Sequence, residues 1–186
     1  MKLHIKNMVC NRCKMVVKTE LEKLGFSPVS VELGEVFLTD NITSEDKFKI
    51  GESIRHFGFE LLENRKTQIS EQVKTSIINL VHYSKAPLKI NLSNYLSEEL
   101  KTEYNYLSSV FSEIENQTIE KYFIAQKIEK AKEMLAYGEL TLSQIAYQLN
   151  YSSVAHLSAQ FKKVTDLTPS AYKLEISGKR KTLDEI

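Results

Sequence analysis

The sequence is poor in the residues that mark several large protein classes. Its 186 residues include no tryptophan, two cysteines, three prolines and six glycines. Two cysteines are too few for a disulfide scaffold, and in a cytosolic chain they favour metal or redox chemistry. No stretch approaches eighteen uninterrupted apolar residues, and the N-terminal MKLHIKNMVCNRC lacks the apolar run of a secretory signal. These absences predict a cytoplasmic protein with no membrane partner.

The charge is nearly balanced, with 25 basic and 24 acidic residues and a formal net charge of +1. Residues 1–64 hold 9 basic and 10 acidic side chains, against 16 and 14 in the rest. A DNA-binding hypothesis must therefore rest on motifs rather than on bulk charge. The sequence shows no catalytic triad, no paired acidic cleft and no phosphate-cradling glycine loop, so we predict that the chain is not an enzyme.

The segment 139–172 has the pattern of two short helices around a tight turn. Thr141 followed by Gln144 is a capping-box pattern, which begins a helix. Asn150 and Tyr151 make the turn, and Ser152 or Ser153 can cap the second helix. The apolar faces are expected at Leu142, Ile145, Ala146 and Leu149 in the first helix, and at Val154, Leu157, Phe161 and Val164 in the second. This is a helix-turn-helix pattern.

The same pattern occurs a second time, fifty residues earlier. The gapless alignment pairs Leu92 with Leu142, Ser93 with Ser143, Leu107 with Leu157, Ser108 with Ser158, Phe111 with Phe161, Thr118 with Thr168, and Tyr122 with Tyr172. Such a repeat predicts two copies of one supersecondary unit. The apolar period from Ile119 to Leu135 predicts a connecting helix of about 27 Å. A spacer of that length could hold two recognition helices about one turn of DNA, near 34 Å, apart.

The block KIEKAKEMLAYGELTLSQIAYQLNYSSVAHLSAQFKKVTDLTPSAYK resembles the DNA-binding domain of the AraC/XylS transcription regulators. The resemblance extends over about residues 69–174 and implies two helix-turn-helix units that bind double-stranded DNA. RNA polymerase and a second copy of the chain are further expected partners, in a bacterial setting.

Positions away from the buried stripes are expected to face the major groove. In the first unit the predicted DNA contacts are Asn105, Tyr106 and Ser109. In the second unit they are Ser153, His156, Gln160, Lys162 and Lys163. His156 and Gln160 are the best candidates for base edges, whereas the two lysines are expected to hold phosphates. A solvated surface residue is the alternative for each position.

The N-terminal residues alternate strand and helix patterns. Leu3 and Ile5 alternate with polar neighbours, as in a half-buried strand that leaves His4 exposed. A helix to Gly25, a hairpin around Gly34, a second helix bearing Ile50, Ile54 and Phe57, and a last strand, FELLE, follow. This order is the ferredoxin-like split βαββαβ arrangement. The predicted fold class is α+β, with an all-α double helix-turn-helix domain after the ferredoxin-like one.

This arrangement, with Met8-x-Cys10-x-x-Cys13 after the first strand and Gly58-Phe59 later, resembles the heavy-metal-associated domain of copper chaperones and metal-pumping ATPases. The resemblance implies that Cys10 and Cys13 bind a metal ion and that Met8 packs beneath the loop. Two thiolates suit soft ions of low coordination, so Cu(I) is expected first, with Zn(II), Cd(II) and Hg(II) as alternatives.

The predicted domain limits are 1–64 for the metal-associated domain, 65–70 for a linker, 71–176 for the DNA-binding domain and 177–186 for a tail. The resulting hypothesis is a transcription regulator with a metal-binding N-terminal domain. Three alternatives remain: an N-terminal docking or dimerisation module without metal sensing, a metal carrier, and a redox role for the two thiols.

Overall fold

A computed structural model describes residues 1–39, 42–84 and 90–179 of the protein. The chain divides into two compact units, of which the first comprises residues 1–76 and 96–119 and the second comprises residues 77–95 and 120 onward. None of the helices in the described ranges is both long and apolar enough to cross a membrane. The first unit therefore combines the N-terminal sheet with helices that follow it in the sequence.

The N-terminal part of the first unit is a four-stranded antiparallel sheet with two helices. Its elements are β1 (Lys2–Lys6), α1 (Asn11–Lys23), β2 (Pro28–Glu32), β3 (Glu35–Leu38), α2 (Ser44–Arg55) and β4 (Glu60–Leu62). The strand order is β2-β3-β1-β4, with Leu3 opposite Val36 and Ile5 opposite Leu61. The predicted order of strand, helix, strand, strand, helix, strand is therefore observed.

The core of this part is formed by one face of the sheet and the two helices. Alternation along β1 buries Leu3 and Ile5, and helical spacing adds residues from α1 and α2: Val17, Leu21, Ile50 and Ile54. Met8 is also buried, as predicted. The prediction for Phe57 is wrong, because α2 ends at Arg55 and the Phe57 side chain is 51% exposed.

The other face of the sheet is covered by helix α3 (Arg65–Ile78). Gln72 donates a hydrogen bond to Glu35 on β3 (2.9 Å). Gly34, at φ +78°, lies so close to α3 that an added Cβ would be 3.0 Å from Oγ1 of Thr75. The prediction that His4 is exposed is therefore wrong, since its side chain is only 11% exposed. Residues 65–70, predicted as a linker, form the first turns of α3, and the domain limits themselves stay a prediction.

The remaining described chain is helical and repeats with the predicted offset. After a π-helical turn (Asn79–Tyr83) come α4 (Leu92–Leu100), α5 (Tyr104–Glu115), α6 (Ile119–Tyr137), α7 (Leu142–Gln148), α8 (Val154–Thr165) and α9 (Pro169–Lys179). The starts of α4, α5 and α6 each precede those of α7, α8 and α9 by fifty residues. Asn116 and Asp166, also fifty apart, end α5 and α8 in the left-handed conformation. The duplicated supersecondary unit is confirmed.

The core of the second unit is built from α6, α7 and α8. It contains Ile128, Ala131, Ile145, Ala146, Leu157 and Phe161, all at predicted apolar positions. Val164 is an exception, because it is 44% exposed although it was predicted as buried. The predicted tail at 177–186 overlaps the end of α9, and residues 180–186 lie outside the described residues.

Candidate nucleic-acid interface and cysteine loop

The second helix-turn-helix is formed by α7 and α8, and both helices are capped by side chains. The Thr141 hydroxyl accepts from the Gln144 backbone N–H, and Gln144 accepts from the Thr141 backbone N–H, which completes the predicted capping box. Ser153 caps α8 by accepting from the backbone N–H of His156 (3.1 Å). Asn150, at φ 55°, makes the turn. These caps fix where α8 begins and hence which side chains it presents outward.

The outward face of α8 carries the predicted DNA contacts. Leu157 and Phe161 are fully buried, whereas Ser153, His156, Lys162 and Lys163 are exposed and Gln160 is half-buried. Lys162 and Lys163 lie in the last helical turn, where a cation is favourable and can also hold a phosphate. The structure thus places these five side chains on the solvent side of one helix.

Tyr151 organises the two best base-edge candidates. Its hydroxyl donates to Oε1 of Gln160 (2.6 Å), and its ring meets the His156 ring edge-on at 5.2 Å. Burial raises the pKa of Tyr151 to about 12, so the hydroxyl keeps its proton and remains a donor. Gln160 therefore points its amide oxygen at Tyr151 and keeps its NH2 group for other acceptors. From its sequence position Tyr151 is expected only in the turn, because a spacing of nine residues gives no signal for its contact with Gln160.

The first helix-turn-helix begins with an equivalent cap. Oδ1 of Asn91 accepts from the backbone N–H of Asn94 (2.9 Å), at the position that matches Thr141. Helix α5 buries Leu107, Val110 and Phe111. On its outer side it exposes the three predicted contacts Asn105, Tyr106 and Ser109. Both copies thus bury an apolar stripe and present a polar one.

The cysteine loop connects β1 to α1 in the first unit. Asn7 leaves β1 at φ 71°, and its side chain donates to the carbonyl of Gly58 (2.9 Å), which ties the loop to the turn before β4. Cys10 is the N-cap of α1 and Cys13 lies in its first turn, so the helix brings the two sulfurs within 3.4 Å. Both cysteines are free thiols and partly exposed.

The loop favours a thiolate at Cys10. The backbone N–H and the thiol of Cys13, together with Arg12, lower the pKa of Cys10. A low-pKa thiol at a helix N-terminus is the usual setting of metal-binding or redox-active cysteines. In the described ranges no group of three or more His, Cys, Asp or Glu residues could hold a metal ion. The donor set is therefore two sulfurs, which fits a soft ion of low coordination and does not complete a four-ligand zinc site.

Comparison with known proteins identifies the helical region. Residues 96–175 match the family described as a helix-turn-helix domain. The xylose operon regulatory protein of Escherichia coli (strain K12) is 27% identical over 115 residues, which cover 61% of this chain and 29% of that protein. The chain thus spans less than a third of the length of this relative.

Solved structures show the same fold. A Chromobacterium violaceum transcriptional regulator, described by its AraC-type DNA-binding domain, has a TM-score of 0.50 and 18% identity over 63% of this chain and all of that one. The DNA-binding domain of AdpA, solved in complex with a target DNA, has a TM-score of 0.50 and 15% identity over 60% of this chain and 95% of that one. The helical part of the chain therefore shares the fold of these DNA-binding domains.

Proposed function

We propose that this protein is a sequence-specific, DNA-binding transcription regulator. We also propose that Cys10 and Cys13 in its first unit bind a soft metal ion, for which Cu(I) is the leading candidate. One observation carries the DNA-binding part: α8 buries Leu157 and Phe161 and presents His156, Gln160 and two lysines on its outer side. An α-helix fits the major groove, and base edges there are distinguished by hydrogen-bonding side chains.

The roles of the α8 side chains follow from their chemistry. Because the Gln160 amide oxygen accepts from Tyr151, the NH2 group is the part available to a base acceptor such as N7 or O6 of guanine. The lysine ammonium groups attract any phosphate and carry no sequence information. By the same reasoning, α5 would be the second helix that contacts base edges, through Asn105, Tyr106 and Ser109.

The DNA-binding proposal is tested with the full-length protein and an operator selected from random sequences. Gln160→Ala is expected to reduce discrimination at one base pair, by about 1 to 3 kcal/mol, while leaving binding to unrelated DNA unchanged. Lys162→Ala should weaken binding to all sequences alike and lower the salt slope by about one. Lys132→Ala is the control, since Lys132 lies on α6 rather than on α8 and pairs with Glu129 on the same helix (2.6 Å). The reverse pattern for Gln160 and Lys162 would contradict the proposed roles.

The metal-binding part rests on the loop and on a ferredoxin-like interpretation of the β2-β3-β1-β4 sheet, in which the N-terminal unit is of the heavy-metal-associated type. A soft ion bound there would supply positive charge that stabilises both thiolates. The loop residues do the rest: α1 keeps the two sulfurs side by side, and Met8 and Phe59 pack beneath them in the core. Partial exposure leaves both sulfurs accessible.

A chain of polar contacts connects this loop to helix α5 within the first unit. The backbone N–H of Asn7 donates to Oε1 of Glu71 (2.9 Å), and Oε2 of Glu71 pairs with Lys74 (3.1 Å). Lys74 also lies 3.6 Å from Glu115, the last residue of α5, which accepts from Ser70 (2.7 Å). Glu71 is only 6% exposed, so a change in its partner is costly. Movement of Asn7 would thus change the contacts of Glu115 at the end of α5.

Coupling requires the two conformations of the loop to differ in affinity for the ion. We therefore expect added Cu(I) to change the operator affinity of the wild-type protein, and Cys10→Ser to remove that response. Glu71→Gln, which keeps an acceptor for Asn7 but removes the charge that Lys74 pairs with, should retain two-sulfur metal binding and lose most of the response. Glu22→Gln, at an exposed pair on α1, is the matched control. If Cys10→Ser responds like the wild type, the sensing proposal fails.

The remaining expectations belong to the same proposal. We expect the protein to work in the bacterial cytoplasm and to contact RNA polymerase. It would bind DNA either as a homodimer or as a monomer that uses its two helix-turn-helix units. Size-exclusion chromatography with light scattering, with and without operator DNA, distinguishes a dimer from a monomer.

A further inference from the structure

The second unit contains a cavity that the proposed function does not use. Its volume is about 870 Å3, and it lies among the π-helical turn, α6 and α7. Its walls are mixed: aromatic and apolar side chains such as Phe123, Met134 and Tyr147 lie beside polar ones that include His82, Lys127 and Gln148. A cavity of this size has the dimensions of a small-molecule site, and its combination of apolar and polar walls suits a ligand with both an apolar body and a polar group.

Lys127 is the unusual member of this lining. It is 8% exposed, and its Nζ lies 3.7 Å from the centre of the Tyr151 ring and 5.2 Å from that of Phe123. Within residues 1–39, 42–84 and 90–179, no carboxylate oxygen lies within 4.0 Å of this ammonium group. Buried charges are normally paired, because burial of a lone charge is costly. Burial accordingly lowers the pKa of Lys127 to about 8.

The other two basic side chains of the lining are already engaged. Lys130 pairs with Glu133 (2.9 Å), and Nε2 of His82 lies 3.0 Å from Oε1 of Gln126. Lys127 is therefore the cation that a ligand would neutralise. The two rings stabilise one side of its ammonium group through their π faces, and an acid group in the cavity would complete the other side.

The same lysine is connected to the DNA-reading face of α8. Tyr151, whose ring contacts Lys127, donates its hydroxyl proton to Gln160 and meets His156 edge-on. A charge that draws Lys127 into the cavity removes a cation from the Tyr151 ring and frees the ring to shift. Because Gln160 and His156 both contact Tyr151, such a shift changes both side chains together.

We propose that this cavity binds a small organic carboxylate with an apolar body, whose acid group pairs with Lys127 and whose occupancy alters the Tyr151 contacts to Gln160 and His156. The cavity is thus an effector site separate from the cysteine loop. Binding itself is independent of the function proposed above, whereas its effect on operator affinity rests on DNA reading by α8.

The binding claim is tested by calorimetric titration of the full-length protein with naphthoate, benzoate and octanoate, with neutral naphthamide as the uncharged comparison. We expect saturable binding of at least one carboxylate with one site per chain, and naphthamide weaker than naphthoate by at least about tenfold. Absence of saturable binding by all three carboxylates at millimolar concentration, or equal affinity for the acid and the amide, overturns the proposal.

Two variant pairs locate the site. Lys127→Met keeps an unbranched side chain of nearly the same length but removes the charge, and it should lose at least about tenfold in naphthoate affinity, while Lys132→Met should bind like the wild type. Tyr147 and Tyr137 are 72% and 73% exposed, and only Tyr147 lines the cavity. Tyr147→Ala should therefore weaken binding and Tyr137→Ala should not. Because both tyrosines are exposed, this second pair still tests the site if Lys127→Met fails to fold. Equal effects within either pair would place the ligand elsewhere.

The transmitted effect is measured by operator titrations with and without saturating naphthoate. We expect a change in operator affinity of several-fold in the wild type, which Tyr151→Phe reduces because it removes the hydroxyl bound to Gln160. If naphthoate binds through Lys127 but leaves operator affinity unchanged, the connection to α8 is wrong. If operator DNA is not bound at all, the proposed function fails while the calorimetric result still decides the cavity.

Discussion

Replacing Lys127 by methionine should change how the stability of the protein depends on pH. Lys127 is buried in the second unit, and its pKa is lowered to about 8 from an ordinary value of 10.5. Between these values the unfolded chain holds a proton that the folded chain has released. Stability rises with pH wherever the unfolded state binds more protons. The wild-type protein should therefore gain stability from pH 8 towards pH 10.5, and the variant should lack this gain.

The magnitude follows from the two pKa values. One pKa unit corresponds to about 1.4 kcal/mol, so raising the pH from about 7 to about 9.5 would change the free energy of unfolding by at most about 2 kcal/mol. Water that enters the cavity screens the charge, and we therefore expect a gain of about 1 to 2 kcal/mol. Methionine also removes the contact with the Tyr151 ring. That loss lowers the free energy of unfolding of the variant by the same amount at every pH below 8. The informative quantity is therefore the slope of the free energy of unfolding against pH.

The measurement is urea unfolding followed by circular dichroism at four pH values across this range. The quantity compared is the difference between Lys127→Met and wild type, in which other titrating groups, including Cys10, cancel. Lys132→Met, which removes a charge from the same helix at a more exposed position, controls for general charge effects. A lysine NMR titration of the wild-type protein gives the pKa directly. A flat difference with pH, or an NMR pKa at or above about 10, would refute the reasoning.

Two further predictions concern packing. Phe161→Ala removes a fully buried ring from α8 and should lower the free energy of unfolding by about 3 to 5 kcal/mol in urea titrations. Val164→Ala, three residues later and 44% exposed, should cost less than about 1 kcal/mol. Similar losses for the two variants would show that the difference in burial between Phe161 and Val164 is wrong. Gly34→Ala should destabilise the first unit by about 1 kcal/mol or more, because Gly34 has φ +78° and its new methyl group would press on Thr75. Unchanged thermal unfolding would mean that α3 does not lie against the hairpin.

Local signals account for what was predicted correctly. The Thr141 and Gln144 capping box depends on two side chains three residues apart, and the structure contains it. The fifty-residue repeat depends on apolar and polar residues that recur at the same spacing, and the helix starts reproduce it. The predicted closeness of Cys10 and Cys13 likewise follows from one helical turn. Each of these features is decided within a few residues.

The errors have two physical causes, namely a covering element that lies far away in the sequence and the point at which a helix leaves the core. His4 was expected on an exposed strand face, but α3 covers that face. Phe57 and Val164 have apolar side chains at helical spacing, yet each lies where its helix ends or turns away from the core. Periodicity shows that a face is apolar but cannot show what covers it or where the cover stops.

The sequence by itself determined the helices, the strands, the duplicated unit and the pair of thiols, because capping, turn chemistry and apolar periods act between neighbouring residues. The tertiary structure alone decided that Glu71 connects the cysteine loop to α5, and that Lys127, Tyr151 and Gln160 form one line of contacts from a cavity to the outer face of α8. Those contacts join side chains whose spacing follows no period, so only the folded arrangement of the helices brings them into contact.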